Sequence, residues 1–343
     1  MFAYVIMYVV VLIAFLNKEK RILGEIAFFI LLFCSLFRGD LVGIDTQGAM
    51  SWHQVVNRGS LDFDLMDSRT YEVTTNFIYK LIYFYNFPER IIIIFYSLVT
   101  FMFLRSSSAR MNIDIATLAI IFLLGGAYIY SFNIARQYAG IAVSIYAITY
   151  IFEKKSSRSL LFFLFMLFAT TIHTSSLIYF PLYLFRFLDF KKSVVYIITL
   201  IIIFFSLVGV LNIRSLMSKV LSINLMSSYS EYYSQNLNLT QTFSFGGYII
   251  MYTQLLLQLL MLNKVYDKFK YSLLFAFVIL VSYMTNDISG DISRSFFGFK
   301  FLVMLFVGYY LSKFNNLYLK SLFIVAYSYS FYKGIMDPYY FCF

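Results

Sequence analysis

The chain has 343 residues, of which 61% are hydrophobic and 13% charged, and its mean hydropathy is +0.77. So little charge cannot cover the surface of a soluble protein this long, which excludes an ordinary water-soluble enzyme. The net charge of +10, from 27 basic and 17 acidic residues, would suggest a nucleic-acid partner in a soluble protein. In a chain of apolar runs, the Lys and Arg excess of cytoplasmic loops explains it without one.

A membrane-crossing helix needs about 20 mainly apolar residues, and such runs recur along nearly the whole chain. Met1 to Leu16 is the first, read as a retained helix because no basic residue precedes it and no small-residue cleavage site follows. Lys18, Lys20 and Arg21 mark the turn after it as cytoplasmic. Ile22 to Phe37 returns outward and delivers Arg38 to a long polar segment, residues 38–72, which holds Asp40, Asp45, Asp62, Asp64, Asp67, Glu72 and Trp52. Val73 to Asn86 is apolar but short and carries Lys80, so it reads as interfacial or re-entrant.

Arg90 to Leu104 leads inward to Arg105 and Arg110, and Asp114 to Phe132 leads out again. A helix from about Asn133 ends before the inner turn of Glu153, Lys154, Lys155 and Arg158. Ser159 to Ile172 and Thr174 to Leu188, the latter with Pro181, form a bent pair around His173. Val194 to Leu211, a second outer segment at 212–247, Tyr248 to Leu262, Ser272 to Thr285, Ser295 to Leu311 and Ser321 to Met336 complete the chain. More than half of the 27 basic residues then fall on inner turns. The expected fold is an all-α polytopic membrane protein. It forms a single transmembrane domain over 1–343, with about 12 helices (11–14 bracket the count) and both termini outside.

Several constellations within this frame carry chemistry. Asn133, Arg136, Gln137, Gly140 and Ser144 recur at the spacing of one helical face, a polar or small stripe on an otherwise apolar helix. A guanidinium there suits phosphate oxygens, or it snorkels to the interface. His173, one of only two histidines, stands in the run Thr-Thr-Ile-His173-Thr-Ser-Ser at a helix junction, as a general base or as a brace for the bend. Asp287, Asp291 and Arg294 are helical neighbours at the outer end of another run, where Asp291 could hold Arg294 as a second anion clamp or simply form a surface pair. Arg38 and Asp45 flank Gly43, a residue suited to a sharp turn that aims Asp45 back at the membrane. Tyr232 and Tyr233, amid Glu231, Gln235 and Asn236, suit the faces and hydroxyls of a sugar, or an ordinary interfacial loop. Cys34 and Cys342 make no metal or disulfide framework. No P-loop or dinucleotide fingerprint appears, and no cofactor is expected.

Taken in order, Arg38…Gly43-x-Asp45, Glu72, Ile134-Ala-Arg136-Gln137, Phe168…His173-x-Ser-Ser and Arg294 before a Phe-rich helix resemble the EpsG-type family of Wzy-like bacterial polysaccharide polymerases. The resemblance covers about Arg38 to Leu311; it departs at Gln47-Gly-Ala, where an aromatic residue is expected, and in the central loop. It implies a GT-C-like glycosyltransferase without a soluble domain in the bacterial cytoplasmic (inner) membrane, making O-antigen, capsule or exopolysaccharide. The growing glycan would pass from undecaprenyl pyrophosphate to the next lipid-linked repeat unit on the periplasmic or outer face, with a flippase and a chain-length regulator as partners. Arg136 and Arg294 would stabilise the departing pyrophosphate, with Arg38, Gln137, Asn133, Asp291, Tyr232 and Tyr233 lining the substrate site. His173, Asp45 and Glu72 are the candidates for catalytic acid or base. Two rivals share the helix count. A lipid-linked-oligosaccharide flippase would carry its polar groups at mid-membrane between related halves, and a membrane acyltransferase would use His173 as base.

Overall fold

The computed structural model describes residues 2–39, 42–43, 72–151, 153, 156–188, 191–195, 197, 254–263, 272–284, 297–314 and 317–336. All regular elements among them are helical. They are α1 (Phe2–Leu16), α2 (Arg21–Leu36), α3 (Val73–Tyr85), α4 (Arg90–Arg110), α5 (Ile115–Leu124), α6 (Ala127–Asn133), α7 (Ala135–Ile148) and α8 (Ser156–Ile172), then a 3₁₀ segment (Thr174–Arg186). Beyond these come α9 (Gln254–Asn263), α10 (Ser272–Met284), α11 (Phe297–Lys313) and α12 (Leu317–Met336).

Two compact units divide the chain: Met1–Tyr183 with Leu311–Phe343, and Leu184–Tyr310. In the second unit Phe275 packs on Phe306 with ring centroids 5.1 Å apart, and Lys192 donates to the Asn263 carbonyl at 2.8 Å. The first unit holds every site candidate that falls within the described residues.

Its centre is α7, buried on nearly every side. Ala135, Ala139 and Val143 keep one face of α7 slim. That face packs against Ile92, Ile93 and Tyr96 of α4, Ala169 and Ile172 of α8, and Ile78 and Ile82 of α3. The outward surfaces are apolar instead: Phe29 is 63% exposed, Met102 63% and Val325 70%. Exposed apolar side chains of this kind are what lipid-facing helices present. By length and apolarity α4 alone among the described helices reaches a full membrane span, and α5 with α6 reaches it as a bent pair.

The unit has two chemically distinct ends. At one, Arg105 grips Glu25 through both oxygens at 2.6 and 2.8 Å. Arg110 pairs with Glu153, which also meets Arg158 at 3.1 Å. At the same end Lys18 donates to the carbonyls of Leu311 and Ser312, and Asp114 caps α5 on the Thr117 amide at 2.7 Å. Arg38, Glu72, Arg90, Arg136 and His173 lie at the other end. The 21 residues of α4 separate the two by about 30 Å at 1.5 Å per residue.

Three elements differ from their sequence-based outlines. The run from Asp114 to Phe132 is not one straight helix but α5 and α6, bent by 61° at Gly125–Gly126. The helix expected to start at Asn133 starts at Ala135, because Ile134 (φ −133°, ψ 52°) leaves helical geometry. Asn133 therefore closes α6 and does not share a helix with Arg136. The run after His173 is wound as 3₁₀ over Thr174–Arg186, opening with the Ser176 amide donating to the His173 carbonyl at 3.0 Å. Three hydroxyl residues that compete for backbone bonds, and Pro181 without an N–H, weaken the α ladder there.

α3 begins and ends at the same end of the unit. Its N-cap Glu72 meets Arg136 at the start of α7. A short turn after Tyr85 the chain enters α4 at Arg90, whose guanidinium donates to the Arg38 carbonyl. Thirteen residues make a helix about 20 Å long, shorter than the about 30 Å of a bilayer's hydrocarbon core.

Candidate active site

Glu72 occupies the N-cap of α3 in an extended conformation (φ −60°, ψ 146°), yet its side chain does not cap that helix. The carboxylate turns inward, 8% exposed, and is shared. Arg136 Nη1 donates to Oε2 at 3.0 Å, and His173 Nδ1 lies 3.2 Å from Oε1. The start of α3 is held from two sides. Thr74 and Thr171 hydroxyls bond at 2.9 Å, tying it to the end of α8. Thr75 and Tyr96 hydroxyls bond at 2.7 Å, tying it to α4.

Arg136 sits in the first turn of α7, where the helix dipole disfavours a cation and favours an anion beside it. Glu72 supplies that anion. Arg136 keeps 31% side-chain exposure.

His173 joins α8 to the 3₁₀ segment and keeps 24% side-chain exposure. Its Nδ1 also lies 3.3 Å from the Ser175 amide. One nitrogen cannot accept from the amide and donate to the carboxylate at once, so the proton position decides between the two contacts. With the proton on Nδ1 the bond goes to Glu72, the charged and closer partner, and Nε2 keeps its lone pair. Nε2 makes no hydrogen bond to a described residue. Burial pulls the imidazole below its ordinary value, to about 4; Glu72 pulls the other way and Arg136 adds to the fall. The ring is therefore neutral at neutral pH and able to accept a proton.

Gln137 is 5% exposed and donates to Ser175 Oγ at 3.3 Å, bracing the turn that carries His173. Gly140 lets this turn come close. A Cβ there would stand 2.8 Å from Ser176 Oγ and 3.3 Å from His173 Cβ. Ser176 is 1% exposed, and its hydroxyl has no hydrogen-bond partner among the described residues.

Arg38 forms a separate cluster. It is 6% exposed, and its Nη1 donates to the Ser35 carbonyl at 3.2 Å and lies 3.3 and 3.4 Å from the Ser35 and Ser97 hydroxyls. Its guanidinium lies over the Phe132 ring at 4.7 Å. Gly43 takes the sharp turn expected of it (φ +91°), and a Cβ there would stand 2.2 Å from the Phe132 carbonyl oxygen. Gly43 is thus laid against the end of α6, next to Asn133, which is 4% exposed. Asp45, Tyr232, Tyr233, Asp291 and Arg294 lie outside the described residues.

The structure therefore brings together Glu72, Arg136, His173 and Gln137, and sets Arg38 apart with Ser35 and Ser97. Sequence reasoning did not single out Thr74, Thr75, Tyr96 or Thr171, which hold Glu72 in place. The one local signal was the Thr74–Thr75 pair two residues after the glutamate. No group of three or more His, Cys, Asp or Glu among the described residues could hold a metal ion.

Compared with protein-family models, residues 21–343 match the EpsG family. Neither a curated protein nor a solved structure matches the chain. With nearly its whole length covered by one family model, the chain belongs to the EpsG family of Wzy-like membrane polysaccharide polymerases.

Proposed function

We propose that this protein is a membrane glycosyltransferase that moves a growing glycan from undecaprenyl pyrophosphate onto the next lipid-linked repeat unit. It does so at the outer face of the cytoplasmic membrane, in a GT-C-like fold of about 12 crossings with both termini outside. The observation that carries the reading is the Arg136–Glu72–His173 constellation: a cation, a carboxylate and a neutral imidazole at one end of the helix unit.

In the reaction an acceptor hydroxyl oxygen attacks the anomeric carbon of the donor sugar as the bond from that carbon to the pyrophosphate oxygen breaks. The electron pair leaves on the pyrophosphate, whose growing charge Arg136 stabilises with its planar fork of donors. The hydroxyl proton passes to His173 Nε2 and then to water, while Glu72 holds the ring through Nδ1. Arg294 with Asp291, and Tyr232 and Tyr233, are the sequence's further candidates for holding the pyrophosphate and the glycan. A flippase supplies the lipid-linked units and a chain-length regulator ends the growth.

The test is lengthening of lipid-linked repeat units by the purified full chain in detergent, read as a ladder on a gel. A ladder from the wild type, lost in Arg136→Ala and His173→Ala with the protein still monodisperse, supports the reading. Transport is impossible in detergent, so a wild-type preparation that makes no ladder, with cells lacking the protein showing no surface glycan, points to export instead. Loss of ester groups at unchanged chain length points to acyl transfer.

A further inference from the structure

The polymerase reading leaves one feature unused: Glu72 is the anion for two partners at once. Its Oε2 accepts from Arg136 at 3.0 Å and its Oε1 faces His173 Nδ1 at 3.2 Å, in a site that leaves the carboxylate 8% exposed. Among the described residues, the charged groups facing His173 are Glu72 from α3 and Arg136 from α7. Tyr96 of α4 stands behind them, its hydroxyl bonded to Thr75. The arrangement is a competition. An anion that takes Arg136 removes the cation that shares Glu72.

We propose that Glu72 is a substrate-switched counter-ion, held by Arg136 in the resting enzyme and released to His173 when a pyrophosphate group occupies Arg136. This rests on the polymerase reading and deepens it. In the resting state Arg136 drains the carboxylate's charge, and Nδ1 turns between Glu72 and the Ser175 amide at 3.3 Å. Once a pyrophosphate binds Arg136, the full negative charge of Glu72 falls on the imidazole. The proton settles on Nδ1, Nε2 becomes the lone-pair nitrogen, and its basicity rises. Proton acceptance is thereby armed only when the donor headgroup is in place. Glu72 is a positioning residue here, not the base.

The two histidines make this directly measurable. Diethylpyrocarbonate modifies neutral imidazole, and peptide mapping separates His173 from His53, which serves as the internal reference. The pH midpoint of His173 modification is measured on the full chain in detergent. Saturating inorganic pyrophosphate, and separately Arg136→Gln, is expected to raise that midpoint by about one pH unit. The midpoint, unlike the rate, is insensitive to simple shielding by the ligand. Arg136→Gln also removes direct repulsion of the imidazolium, so the deciding comparison is the double-mutant cycle with Glu72→Gln. The switch requires the Arg136→Gln shift to fall by more than half in the Glu72→Gln background. Glu72→Met takes its place if Glu72→Gln does not accumulate. Equal shifts in both backgrounds, or no shift on Arg136→Gln, overturn the switch. If the shifts are equal while His173→Ala and Arg136→Ala still abolish the ladder, the polymerase reading stands and the switch alone fails; if both variants keep the ladder, the polymerase reading itself fails.

Discussion

Glu72 Oε1 lies 3.2 Å from His173 Nδ1, although one residue starts α3 and the other follows α8. A carboxylate on the far nitrogen of an imidazole fixes its tautomer and steadies the imidazolium that forms on proton uptake. Replacing Glu72 by Gln is expected to lower kcat for glycan lengthening by about 10²-fold or more with little change in KM. An unchanged kcat in purified protein would assign the contact to structure alone.

Arg136 is expected to act through both its charge and its fork. Arg136→Ala should reduce the lengthening rate by about 10²–10³-fold, the cost of losing one preorganised donor group at developing negative charge. Arg136→Lys keeps the charge but not the two-pronged geometry and should recover only part of the loss. The check is the rate of ladder growth at matched protein amounts. Equal activity of the Lys and wild-type proteins would make the residue a point charge rather than a clamp.

The acid limb of the pH–rate profile follows from His173. Its imidazole is drawn down to about 4 from an ordinary 6.5, so the neutral, proton-accepting form prevails above that value and is lost as pH falls through it. The same sign holds for stability: the contribution is complete above about 6.5 and disappears as pH drops towards about 4. The profile of kcat/KM reports the free enzyme and that of kcat the substrate complex. With Glu72 released on binding, the kcat limb should lie at higher pH than the kcat/KM limb, and in Glu72→Gln the two should converge.

Close approach at Gly140 is testable by size. Gly140→Ala places a methyl 2.8 Å from Ser176 Oγ and 3.3 Å from His173 Cβ, an overpacking worth about 1–3 kcal/mol. Activity should fall several-fold, Gly140→Val should abolish it, and Ser176→Ala should restore part of the Gly140→Ala loss by removing the nearest atom. If Gly140→Val is fully active, the contact does not position His173.

The course of α3 makes a labelling prediction. With Cys34 and Cys342 replaced, cysteines at Asn86 and Glu89 should react with a membrane-impermeant maleimide from the same side as a cysteine at Ser68. A cysteine at Asn112, at the opposite end of α4, should react only after permeabilisation. Labelling of Asn86 and Glu89 from the side opposite Ser68 would mean that α3 crosses the membrane.

From the sequence alone, apolar run length was enough to outline most of the described helices. Arg136, Gln137 and His173 stood out for the same reason: a polar group in an apolar run carries a desolvation cost visible in its immediate neighbours. What each group would meet was not legible. Glu72 was one of several acidic positions in a long polar segment, and apart from the nearby Thr74–Thr75 pair nothing local distinguished it from Asp45. Only the packing of α3 across the ends of α4, α7 and α8 delivered its carboxylate to both Arg136 and His173. Asn133 shows the reverse case: the periodicity joined it to Arg136, but the backbone at Ile134 broke the helix between them. Burial cost is a property of a residue and its near neighbours, and so it can be read along the chain. Pairing depends on how helices distant in sequence lie against one another, which the tertiary structure decides.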